Sequence, residues 1–175
     1  IVNFLLAFVM AIYMLMSKED LKARIKRMVF AFFNKDKAES IMYTGNLAND
    51  IFSGFFVGKI IDSIIIGILA WVVMMIAKVP NSMVFGLIIG LTNMIPYFGP
   101  FIGAVPCVLI TLFISPYKAL AVIIIIVVLQ QLDGLIIGPK ILGDKVGVSA
   151  FWIIVAVTVG GAAAGVIGML LGVPV

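Results

Sequence analysis

Histidine is absent from this 175-residue chain, and cysteine occurs once, at Cys107. Those scarcities exclude a disulfide framework within the chain and the usual zinc and haem ligand sets. They also remove the histidine base that a serine or threonine nucleophile relies on, so Ser115 or Thr111 would have to borrow a lysine. No catalytic residue, metal ligand or cofactor is expected. Charge is just as scarce, at 11% of residues, where a soluble domain carries roughly 25%. With 64% of residues hydrophobic, too few polar side chains remain to wrap a soluble core. The composition implies an all-α polytopic membrane protein.

The charge that is present is concentrated. Seven of the twelve basic residues fall between Ser17 and Lys37. The runs on either side are apolar and no aromatics interleave with the basic face, so nucleic acid is not the expected partner. The positive-inside rule puts this segment on the cytoplasmic side of a bilayer. Residues 1–16 read as the end of a transmembrane helix in a longer protein, since the chain opens inside an apolar run with no initiator methionine. Ser17 and Asp20 have capping-box spacing. Leu21, Ile25, Met28, Val29 and Phe32 then recur at helical intervals, as in a helix lying on an anionic leaflet. Residues 36–58 mix Ile41, Leu47, Ile51 and Phe55 with Asn46, Asn49, Asp50 and Ser53, a pattern suited to an interfacial helix. Residues 17–58 are therefore expected to anchor the protein and to build contacts in a homo-oligomer.

Residues 59–175 read as a transmembrane transport core. From Val79 to Tyr117 lie 39 residues without a formal charge, about 58 Å as one helix and roughly twice the hydrocarbon thickness. The chain has to turn back, and the corner Pro96-Tyr97-Phe98-Gly99-Pro100 is where it can. That predicts a broken helical hairpin over 83–115. Irregular backbone at this depth survives only where protein buries it or water reaches it, and carriers use such breaks to bind solutes. Asn93, Pro96, Tyr97, Gly99 and Pro100 are accordingly candidates for a substrate or ion site. A crossing over Ala119–Ile137 ends in Gln130, Gln131 and Asp133. A carboxylate inside a membrane is costly enough to mark an ion or solute path, so these three join the candidates, with Lys140 as a possible counter-charge for Asp133. Asp62 is given a structural role instead, at the first turn of a helix beside Lys59. Residues 146–175 would be about 45 Å long as one helix, and Gly160-Gly161 suggests a second break. Gly161, Gly165, Gly168 and Gly172 are expected to form one packing groove along a helix face.

The segments LTNMIPYFGPFIGAVP, QQLDGLIIGPKILGDKVGVSAFW and GGAAAGVIGMLLGVPV together resemble the AI-2E family of bacterial membrane proteins, autoinducer-2 exporter-like permeases. The resemblance covers nearly the whole chain as the family's C-terminal portion. It implies a multi-pass protein of the bacterial inner membrane with further spans before this one. It also implies export of a small polar solute such as autoinducer-2, or sodium(lithium)/proton antiport using Na+ or H+, or a non-transporting role of the sporulation type. Members often carry a histidine-proline pair after the glycine-rich loop, where this sequence has Val148-Ser149-Ala150.

Overall fold

The computed structural model describes residues 2–142 and 150–174, and among these the backbone is helical with no strand. By its internal contacts the chain divides into a first unit, Ile1–Asn49, and a second, Asp50–Val175.

The first unit holds α1 (Val2–Met16), α2 (Lys18–Phe32) and the opening turns of α3 (Lys35–Ile76). The expected capping box at Ser17 does not form. Ser17 N–H donates to the Tyr13 carbonyl at 3.0 Å and its own carbonyl accepts from Leu21 at 2.9 Å, with no side-chain cap bond. The hydrogen-bond ladder continues past Ser17, so the orphan donors that a capping box would satisfy are few. The chain turns at Phe33, where the backbone is extended. Leu21, Ile25, Met28 and Phe32 of α2 are all exposed. Beside them, a shallow groove of about 320 Å³ runs past Met14, Leu15 and Met42, with Lys18 and Lys22 along it.

In the second unit α3 runs unbroken to Ile76. The sequence reads residues 36–58 as an interfacial helix running directly into the span that follows, and one helix carries both. No proline interrupts the region, and one buried stripe crosses it: Phe55, Lys59, Asp62, Ile66, Ala70 and Met74. Their spacing of three or four residues lays them on a single helix face. The chain then reverses through left-handed residues at Lys78 and Asn81 into α4 (Ser82–Asn93).

Helix α4, a corner at residues 94–98 and α5 (Gly99–Ile114) form a hairpin. Its arms of 12 and 16 residues are about 18 and 24 Å long, each short of a full bilayer crossing. Small residues let the arms close. A Cβ on Gly99 or Gly103 would overlap the Thr92 carbonyl or hydroxyl, and one on Gly90 would sit 3.0 Å from the Ser63 carbonyl of α3. Glycine is required at these contacts because two helix backbones meet there. Helix α6 (Pro116–Leu132) packs Val122, Ile126 and Leu129 into the same core as Ile66, Met74, Phe85, Ile89 and Cys107.

After α6 the helix widens into a π-turn, Asp133–Ile137, in which the Gly138 N–H returns to the Asp133 carbonyl; a short α7 (Gly138–Leu142) follows. Pro139 offers a physical reason for the widening. Its ring would press on the carbonyl four residues back and it has no N–H to give, and a π-turn is one way a helix absorbs such an insult.

The last element, α8 (Ala150–Gly172), would be long enough to cross a bilayer by length and composition, as are α3 and the stretch Pro116–Ile141. Its backbone is nevertheless folded, with Ala164 at φ −139°, ψ 21° and Gly165 at φ 60°, ψ −141°. The second break thus falls at 164–165 rather than at Gly160-Gly161. The arms run antiparallel, since Gly160 abuts Gly168 and Gly172 abuts Ala156. Gly161, Gly165, Gly168 and Gly172 therefore do not line one helix face. Gly165 makes the corner, Gly168 and Gly172 press back on the first arm, and Gly161 receives Met169. Phe55 of α3 packs with Val157 and Val173 of this hairpin. The loop residues Lys145, Val148 and Ser149 lie outside the described residues.

Candidate functional site

The corner between α4 and α5 is held by short backbone bonds. Ile95 donates to the Thr92 carbonyl at 2.9 Å, Phe98 to that of Pro96 at 2.7 Å and Gly99 to that of Ile95 at 2.9 Å. Between these lies Tyr97 at φ 62°, a left-handed conformation that L-residues other than glycine, asparagine and aspartate rarely adopt. The turn lets the chain reverse while Met94, Ile95, Phe98 and Gly99 keep backbone partners for their N–H groups.

A cavity of about 690 Å³ opens beside this corner. Of the residues singled out from the sequence, Asn93, Pro96, Tyr97, Pro100, Gln130, Gln131 and Asp133 all line it. Gly99 does not. It is buried behind the corner against Thr92, where it permits the tight return of α5. The cavity walls are mostly apolar, with Ile126, Val108 and Ala104 among them. Convergent polar groups in a largely apolar concavity are the usual make-up of a small-molecule site.

The polar groups form a connected set at the cavity wall. Lys59 Nζ contacts Asp62 Oδ2 at 2.6 Å, one helical turn along α3. Asn93 Nδ2 donates to the same Oδ2 at 3.1 Å and reaches Asp133 Oδ2 at 3.5 Å. Asp62 is fully buried, Asn93 is 2% exposed, Lys59 8% and Asp133 9%. One lysine and two carboxylates, tied by one amide, thus meet where α3, α4 and the π-turn converge. Asp62 Oδ1, Asp133 Oδ1, Ser63 Oγ and Gln130 Nε2 are buried with no hydrogen-bond partner in the protein. Buried polar atoms normally find partners, so this cluster can still accept and donate hydrogen bonds to whatever enters beside it.

Two sequence expectations change here. Asp62 does not sit in the first turn of a helix; it lies in the middle of α3, where no helix terminus stabilises it. It belongs to the same cluster as Asp133. The signal was available, because a carboxylate inside the apolar run from Ile60 onward is as costly as Asp133. Lys140, offered as the counter-charge to Asp133, is exposed, and Lys59 is the lysine of the cluster. Cys107 is buried within the core.

Comparison with known proteins places this geometry in a context. The family described as AI-2E family transporter matches residues 1–175. In Bacillus subtilis (strain 168), YueF is 35% identical over 127 residues, 73% of this chain and 34% of that protein. YrrI of the same organism is 39% identical over 126 residues, 72% of this chain and 36% of that protein. Both are named provisionally as transport proteins. The AI-2 transport protein TqsA of Escherichia coli (strain K12) is 32% identical over 128 residues, 73% of this chain and 37% of that protein. The matched segment spans about a third of the length of each of these relatives.

Proposed function

Because the chain belongs to the AI-2E transporter family, we propose that its second unit forms the solute path of a secondary carrier that exports a small polar molecule such as autoinducer-2 across the bacterial inner membrane. The observation that carries this reading is the cavity of about 690 Å³ whose apolar wall is interrupted by Asn93, Gln130 and Asp133. Tyr97 and Asn93 offer neutral donors and acceptors, and Gln130 offers an unpartnered amide nitrogen, which suits a hydroxylated solute. Alternating access would come from the α4–α5 hairpin moving against α3 and α6. The name of TqsA supports autoinducer-2 as the first solute to try. In this reading α1, α2 and the start of α3 anchor the protein at the cytoplasmic face, and their exposed apolar side chains meet lipid or further copies in a homo-oligomer.

A sodium(lithium)/proton antiporter is the second reading, favoured by the buried carboxylates Asp62 and Asp133. Flux in reconstituted vesicles separates the two. A carrier of neutral solutes moves autoinducer-2 with or without a sodium gradient, and Asn93→Ala lowers that flux at least about tenfold through loss of charge-assisted hydrogen bonds. An antiporter shows sodium- or lithium-driven proton movement with no solute present. Solute flux unchanged in Asn93→Ala would remove the cavity from the path.

A further inference from the structure

Charge inside the cluster does not balance. Lys59 supplies one positive charge, while Asp62 and Asp133 can supply two negative ones, and all three are at least nine-tenths buried. Among the described residues no other charged side chain lines the cavity. The groups that touch the carboxylates are Lys59 of α3 and the neutral amide of Asn93 in α4; the other polar side chains lining the cavity, Tyr97, Gln130 and Gln131, are an uncharged phenol and two uncharged amides. An uncompensated carboxylate in such a setting costs several kcal/mol and is normally neutralised rather than tolerated.

We propose that Asp62 and Asp133 together hold one exchangeable proton, making the cluster the proton-coupling site of the carrier. The inference rests on the carrier reading above and deepens it. Both Oδ2 atoms turn to the single Asn93 amide, which leaves each Oδ1 without a partner in the protein. Asp133 lines the cavity whereas Asp62 does not. A proton therefore passes between the cavity and the Asp133 carboxyl group, converting carboxylate to carboxyl on entry and back to carboxylate on leaving. No other bond changes.

The donor set favours a proton over a metal cation. A hard cation needs several oxygen ligands around it, and here the oxygens converge on an ammonium and an amide N–H, both of which repel a cation. A proton needs one oxygen. With it bound the cluster is neutral, and without it the cluster carries one negative charge that the solute, or the opposite conformation, must accommodate.

Counting protonated carboxyl groups tests this directly. Infrared spectra of the reconstituted protein are expected to show one protonated carboxyl band. Asp133→Asn should remove it, and so should Asp62→Asn, because either leaves Lys59 balanced by one carboxylate. Lys59→Met should raise its intensity about twofold, since both carboxyls then need a proton. The two asparagine variants make the same count, so a folding failure in one leaves the other decisive. A band unchanged in both asparagine variants overturns the proposal. So does an absent wild-type band together with carboxylate bands that shift on adding sodium, which would assign the site to a metal cation. Solute flux that persists without the band sinks the proton site alone. The band present in a protein that moves no solute supports the proton site and sinks the carrier reading.

Discussion

The two folded-back hairpins of the second unit differ in what fills the space at their corners. Between α4 and α5 the corner takes five residues, 94–98, with Pro96 and Tyr97 in the turn and a largely apolar cavity holding a few polar groups beside it. In α8 the corner is Ala164 and Gly165 alone, and the arms meet backbone to backbone through Gly160, Gly168 and Gly172. Proline and an aromatic hold a turn open, because their rings cannot be pressed flat against a neighbouring helix. Glycine closes one, because nothing projects from its Cα. The first hairpin therefore has room for a ligand and for Asn93, which ties it to the carboxylates. The second has no such room and reads as scaffold.

The sharpest way to break that contrast is to disturb the charge cluster of the open hairpin. Lys59→Met leaves Asp62 without its 2.6 Å partner and is expected to cost about 3–5 kcal/mol, as when one member of a buried pair is removed. The measurement is denaturation in mixed micelles. Adding Asp62→Asn should restore most of the loss. Asp62→Asn alone should cost less than Lys59→Met, since Asp133 stays beside the lysine as a counter-charge. Additive losses in the double variant would mean the pair is not coupled.

Next in size is the closed hairpin. Gly168→Val would drive a branched side chain into the Gly160 carbonyl and is expected to cost about 1–3 kcal/mol by overpacking, while solute affinity stays as it was. An equal loss of affinity would show that the closed hairpin is not merely scaffold. Smallest is an exchange at the two corners. Gly165→Ala should destabilise by about 1–2 kcal/mol, because its positive φ favours glycine, and Tyr97→Gly should relieve a similar strain at φ 62°. Tyr97→Gly should also weaken solute binding, since the ring lines the cavity. A gain in stability without weaker binding would take Tyr97 out of the site.

Much of this architecture was legible from residue types with strong local effects. The Pro96–Pro100 corner, the short arms on either side of it and the costly carboxylate at 133 each follow from one rule about proline, length or charge. What stayed hidden depends on partners distant in sequence. Asp62 looked structural because its bridge to Asp133 runs through Asn93, 31 positions further along the chain. The second break fell four residues beyond Gly160-Gly161, because the position of a glycine corner is fixed by which backbone pairs can touch, and Gly160 is needed for the contact with Gly168. The π-turn at Asp133 depends on how α6 absorbs Pro139.

The central claim is that water reaches the polar groups of the cavity beside the broken corner, and thiol labelling tests it most directly. Gln130→Cys in a Cys107→Ala background, reconstituted in vesicles, should react with a small water-soluble, membrane-impermeant maleimide. The transported solute should slow that reaction. A cysteine at 130 that resists the water-soluble reagent and reacts only with a lipid-soluble one would contradict the account.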